Sequence, residues 1–118
     1  MITIIECVDY HASFDPRGWS EKALKIASQA LSIQHKTLLV CRYNDEEVGF
    51  AAFLETSEIF LLSLATKRSG FGRLLIERLK TKQKPIWCGS EPESEGFYRK
   101  LGFTEDGKHD GFKRFCLS

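Results

Sequence analysis

The sequence predicts an α/β fold: a single domain on one mixed, mostly antiparallel sheet, in the order β-α-βββ-α-β-α-ββ. Three observations predict it. The 118 residues suit one domain and leave no length for a second lobe. Lys36–Tyr43, Glu47–Glu55 and Glu58–Thr66 are three β-rich runs separated only by short polar breaks, which makes an antiparallel meander. A helical stretch then separates the third run from the next apolar one, so those two strands lie parallel.

In chain order, Met1–Cys7 is rich in isoleucine and forms a first strand. Asp9–Gly18, broken by Ser13, Asp15, Pro16 and Gly18, is a surface loop. Ser20 is placed to cap a helix running to about Ile33, with Ala23, Leu24, Ala27, Ala30 and Leu31 on one face. Asn44-Asp45-Glu46 turns the first hairpin and Thr56-Ser57 the second. Glu58–Thr66, apolar almost throughout, is expected to be a central strand buried on both faces. Phe71, Leu74, Leu75 and Leu79 then follow helical spacing directly after Gly70. Pro85–Gly89 is the parallel strand, and a helix from about Pro92 to Leu101 ends at Gly102. Phe103–His109 and Phe112–Leu117 flank Asp110-Gly111, a strong hairpin signal.

The hydrophobic share of 42% and charged share of 28% argue against disorder, collagen-like repeats and coiled coils. Seventeen basic and sixteen acidic residues leave a net charge of +1, so no global field recruits nucleic acid or a membrane and any anion site is local. Runs such as Ile59–Ala65 are too short to span a bilayer, and the start of the chain has no basic region or cleavage-type ending. Cys7, Cys41, Cys88 and Cys116 lie far apart inside apolar runs, with no C-x-x-C pair and no nearby histidine pair. They are expected to be buried thiols of a cytoplasmic protein without a metal.

Chemistry concentrates in Leu62–Leu75: a buried strand, a loop with Gly70 and Gly72, and a helix start, with Lys67, Arg68 and Arg73 beside it. Glycines let the backbone bend and bring its N–H groups near a ligand. The first-turn N–H groups of a helix have no internal partner and sit at the positive end of its dipole. Together they suit a phosphate or pyrophosphate, although a glycine-rich turn with solvated basic residues has the same composition. A Walker A loop is excluded because no Gly-Lys-Ser or Gly-Lys-Thr occurs. A dinucleotide fingerprint needs a third glycine where Leu75 stands, yet Glu91 and Glu93 lie about twenty residues on, where a ribose-binding acid belongs.

Lys67-x-x-Gly70-x-Gly72 resembles the Gln/Arg-x-x-Gly-x-Gly/Ala pyrophosphate loop of the GNAT acetyltransferases, which transfer an acyl group from coenzyme A to an amine. Gly96-Phe97-Tyr98-Arg99-Lys100-Leu101-Gly102-Phe103 is similar to that family's FYxKLGF segment. The resemblance covers about Glu47 to Leu117, with the N-terminal third matching in element order alone. Three positions depart: Lys67 heads the loop, Leu64 stands where a proline is common, and Glu91 stands where an asparagine often opens the later helix.

The resemblance implies a central parallel pair splayed around coenzyme A, with the pantetheine arm between the 58–66 and 85–89 strands. It implies that backbone N–H groups near Leu62, Ser63 and Leu64 hold the acyl carbonyl, and that Lys67, Arg68, Ser69, Gly70, Phe71, Gly72 and Arg73 hold the phosphates. Glu91 and Ser94 fall beside the arm. Tyr98 is the implied general acid for the departing thiolate, and Glu55 or Glu58 a possible base acting through water. His11, Asp15 and Trp19 sit in the loop that commonly lines the acceptor pocket, while His35 and His109 have the placement of surface residues at turns. The implied function is N-acetyl transfer from acetyl-CoA to a small-molecule or peptide amine by direct attack, without a metal, nucleic acid or membrane. The alternatives are a non-catalytic CoA-binding or protein-binding regulatory module on this fold, and a domain whose loop takes another nucleotide-like ligand. The terminal hairpin, with Phe112 and Phe115, offers an edge for a homodimer.

Overall fold

A computed structural model describes residues 1–8 and 15–118. The elements are β1 (Ile2–Val8), α1 (Glu21–Ser32), β2 (Thr37–Tyr43), β3 (Glu46–Glu55), β4 (Ile59–Thr66), α2 (Phe71–Lys80), β5 (Ile86–Ser90), α3 (Glu95–Lys100), β6 (Thr104–His109) and β7 (Phe112–Leu117). One sheet takes in all seven strands in the order β1-β2-β3-β4-β5-β7-β6. Its neighbours are antiparallel except β4 and β5, which run parallel.

Local chemistry sets the punctuation. Asn44 and Asp45 stand at φ 51° and 66°, and Asp110 and Gly111 at 50° and 83°. Both are two-residue turns with positive φ at each centre, the twist that suits a hairpin. Glu46 therefore already belongs to β3. The Ser20 side chain accepts the Ala23 N–H at 3.1 Å and opens α1. Gly102, at φ 94°, ends α3. The helix expected from Pro92 is divided, because Pro92–Ser94 form a 3-10 turn before α3 begins. The Ser94 N–H bonds back only three residues, to the Glu91 carbonyl at 3.0 Å.

Side chains from alternate strand positions build a core on each face of the sheet. Leu75, Ile76 and Leu79 of α2 and Phe103 pack with Phe53 and Phe115 on one face. Ala27 and Ala30 of α1 pack with Leu38, Val40 and Phe50 on the other. Each large side chain sealed this way contributes about 1.5–3 kcal/mol of transfer free energy.

Two sequence expectations are corrected here. The strand covered on both faces is β3, buried from Val48 to Phe53, whereas β4 buries only Ile59, Leu61 and Ala65. The reason is that β5 bonds to β4 at only two positions and leaves the rest of that edge open. Phe115 is fully buried in the core, and β7 lies between β5 and β6. The outer strand of the terminal hairpin is β6, whose residues Thr104–Lys108 are exposed and mostly polar.

All four cysteines are free, with Cys41 and Cys88 buried and Cys7 and Cys116 half-buried. No helix among the described residues is long and apolar enough to cross a membrane.

Candidate active site

β4 and β5 pair at Ile59–Ile86 and Phe60–Trp87 and nowhere further along. On the other side of β4, Phe53 pairs with Leu61 and Ala52 with Ser63, so Leu62 is the extra residue of a β-bulge. A bulge bends its strand and increases the local twist. The strands therefore diverge, and a cavity of about 350 Å³ opens where they part. Leu62, Ser63, Leu64, Glu91, Ser94 and Tyr98, all singled out from the sequence, line it.

Tyr98 projects from α3 and is 7% exposed. Phe97, Phe103 and Phe115 surround its ring at centroid distances of 5.1, 5.3 and 6.1 Å. Burial, first of all, pushes its phenol well above the usual tyrosine range, and the neighbouring Cys88 adds to that shift. Burial likewise pushes the Cys88 thiol up to about 12. The pair is a neutral phenol beside a neutral thiol, and the phenol keeps a proton it can donate.

The loop between β4 and α2 is open on its outer side. Gly70 stands at φ 96° with nothing within 4 Å of where a Cβ would lie, so its conformation demands glycine. A Cβ on Gly72 would come 3.2 Å from the Phe97 ring, so this glycine lets the start of α2 close against α3. Arg68, Ser69, Gly70 and Arg73 are exposed and Phe71 is half-buried. No acidic side chain occupies the first turn of α2, and its first N–H groups point outward from the helix end. An anion here would meet backbone donors, a positive dipole end and two arginines.

Lys67 is placed differently from the loop charge that the sequence suggests. Its ammonium pairs with Glu46, and its stem lies across Gly18, where a Cβ would sit 2.5 Å from Cε. It ties the segment after residue 15 to the start of β3 and the end of β4.

The two suggested bases lie outside the cavity lining. The Glu55 carboxylate holds Lys84 at 2.8 Å and Lys82 at 3.0 Å, and those ammonium groups keep it below its ordinary range. Glu58 is exposed just before β4. Asp15 pairs with Arg17, which holds its carboxyl at about 2. Trp19 is buried and stacks on Phe50, with ring centroids 6.0 Å apart. His11 lies outside the described residues.

His109, which the sequence places at a surface turn, lines the cavity together with Tyr98. The signal that could have found it is the Asp110-Gly111 turn. Once β7 is paired with β5, Ser90 meets Lys113 and Gly89 meets Arg114, which sets the hairpin tip at the mouth of the gap. That pairing skips a strand and has no local mark in the sequence. Glu91, at the same mouth, pairs at 3.3 Å with Lys22 of α1. Among the described residues no group of His, Cys, Asp or Glu side chains is placed to hold a metal.

The family model described as an acetyltransferase (GNAT) domain matches residues 11–116. No curated protein matches the sequence. Among solved structures, a GNAT family acetyltransferase from Elizabethkingia anophelis with acetyl-CoA bound aligns at a TM-score of 0.65 and 18% identity, over 99% of this chain and 97% of that one. The Bacillus subtilis N-acetyltransferase YlbP in complex with coenzyme A aligns at 0.64 and 14%, over 99% and 96%. The mutant toxin AtaT bound to the C-terminus of the antitoxin AtaR and acetyl-CoA aligns at 0.72 and 15%, over 99% and 92%. At these identities the structural likeness establishes the fold, while the family model spans nearly the whole sequence. The chain belongs to the GNAT acetyltransferase family.

Proposed function

We propose that the protein is an N-acetyltransferase that moves an acetyl group from acetyl-CoA to a primary amine by direct attack in the gap between β4 and β5. One observation carries the reading: a buried, protonated Tyr98 faces the cavity opened by the strand divergence. The exposed bend of Arg68, Ser69 and Gly70 begins directly after Lys67.

The residues present fit acetyl-CoA. The helix end at Gly70–Arg73 and the guanidinium groups of Arg68 and Arg73 suit its diphosphate. The cavity wall at Leu62, Ser63 and Leu64 suits the arm and the acyl group, with Ser94 and Glu91 at the other side. Bound there, acetyl-CoA supplies an acetyl group activated as a thioester. The open edge of β4 presents backbone N–H groups toward the gap, where they stabilise negative charge on a carbonyl oxygen. Tyr98 donates its proton toward the sulfur as the carbon–sulfur bond weakens. The acceptor is a small-molecule or peptide amine, and the free thiols accord with a cytoplasmic setting.

Thermal unfolding with and without acetyl-CoA, together with thiol release in a panel of amines, tests this reading. Acetyl-CoA should raise Tm through linkage, and at least one amine should release coenzyme A. Absence of any Tm shift at millimolar acetyl-CoA contradicts the reading. A shift with no thiol released by any amine would favour a binding module without turnover.

A further inference from the structure

We propose that His109, held against the Phe60–Trp87 step, is the general base that takes the proton from the acceptor amine, an assignment that rests on the acetyl-transfer reading above. An amine that attacks a thioester must be neutral, yet a lysine side chain titrates near 10.4 and an α-amine near 8. A positioned base is therefore needed at neutral pH. Among the described residues lining the cavity, His109 supplies the one imidazole.

Its placement is that of a fixed group. The ring stands nearly perpendicular to Phe60 and Trp87, at 84° and 83°, with centroid distances of 5.4 and 5.0 Å. Those two rings are themselves stacked 3.9 Å apart, so the imidazole rests beside a rigid aromatic step. It closes β6 opposite Phe112, at the tip of the terminal hairpin. The Asp110 carboxylate oxygen lies 3.2 Å from His109 Nε2. The side chain is 38% exposed, which gives the captured proton a path to water.

The charged and titratable groups around it come from every side. On its own hairpin are Asp110 and the Lys108–Lys113 pair. From β7, Arg114 lies 4.7 Å over the Trp87 ring. After β5 stands Glu91, already paired with Lys22 of α1, and α3 contributes Tyr98. Tyr98 is held protonated by burial, and Glu91 is engaged with an ammonium. Among these cavity groups His109 has a lone pair suited to an ammonium proton.

The step balances. The neutral His109 imidazole takes one proton from the ammonium on its free ring nitrogen and passes it to water. The freed nitrogen pair forms the C–N bond at the thioester carbonyl carbon, the C–S bond breaks, and its pair stays on sulfur. Tyr98 gives the sulfur a proton and regains one from the second amine hydrogen as the amide forms. The products are the amide, the free thiol and one proton in solution.

The test is thiol release against pH for wild-type protein, His109→Gln, His109→Ala and Asp110→Asn, with acetyl-CoA binding measured by calorimetry on each. His109→Gln should lose roughly 10²-fold in kcat near pH 7 while its Kd for acetyl-CoA stays within about twofold. The acid-side limb of the wild-type pH profile should vanish in the histidine variants. Added imidazole should restore part of the rate to His109→Ala, and Asp110→Asn should lose less than either histidine variant. Folded histidine variants with wild-type rate and pH profile would overturn the assignment. If the wild-type protein binds acetyl-CoA but releases no thiol with any amine, the acetyl-transfer reading fails first, and the assignment falls with it.

Discussion

Phe60 and Trp87 stack face to face, 3.9 Å apart and within 5° of parallel, at the last bonded position between β4 and β5. They form the vertex of the gap. Short of them the parallel strands hold together, and beyond them the bulge at Leu62 carries β4 away. On one side Arg114 lies over the Trp87 ring, and His109 stands beside both rings.

Trp87→Ala should therefore act twice. Removing a half-buried aromatic with a stacked partner should cost about 2 kcal/mol in urea unfolding. It should also loosen the vertex and weaken acetyl-CoA binding, whereas Leu54→Ala, at an exposed β3 position, should change neither by a comparable amount.

The Lys67–Glu46 pair predicts an unequal set of charge effects. Lys67 is 11% exposed and already engaged, whereas Arg68 and Arg73 are exposed at the start of α2. Arg68→Ala and Arg73→Ala should weaken coenzyme A binding several-fold, and added salt should diminish the difference. Lys67→Met should lower stability by about 1 kcal/mol and affect affinity less.

The ion pairs of Glu55 predict a pH dependence. Lys84 and Lys82 hold its folded pKa below the unfolded value of 4.5. A carboxyl depressed in this way stabilises the fold above its unfolded pKa, and that contribution is lost as the pH falls through the folded value. Glu55→Gln should thus lower Tm near neutral pH and flatten the decline below pH 4.5. Lys82, raised chiefly by Glu6, acts at the other end, losing its contribution as the pH rises through its folded pKa.

Tyr98→Phe removes a buried hydroxyl that neighbours the Cys88 thiol. It should lower kcat by tenfold or more and leave the Kd for acetyl-CoA nearly unchanged, since the arm and phosphates meet other groups. Equal losses in both would make Tyr98 a packing residue alone.

The elements were legible because their signals are local. Ser20 caps its own helix, Asp110-Gly111 makes its own turn, and Phe71, Leu74, Leu75 and Leu79 mark their own face. The Gly70 bend was legible for the same reason. What escaped depends on partners distant in the chain. Gly72 faces Phe97 as well as the loop, Lys67 meets Glu46 and Gly18, and His109 reaches the cavity because β7 inserts between β5 and β6. β4 is less buried than its apolar run predicts, because such a run looks the same whether its neighbour stays bonded or departs.

The central claim is that acetyl-CoA occupies the gap between β4 and β5, and calorimetric titration of wild-type protein and Ser63→Trp tests it most directly. The indole fills the cavity from β4 without touching the Gly70 bend. The account predicts saturable one-to-one binding by the wild type and at least a tenfold loss of affinity in folded Ser63→Trp. No saturable heat with the wild type, or equal affinity in the two proteins, would contradict it.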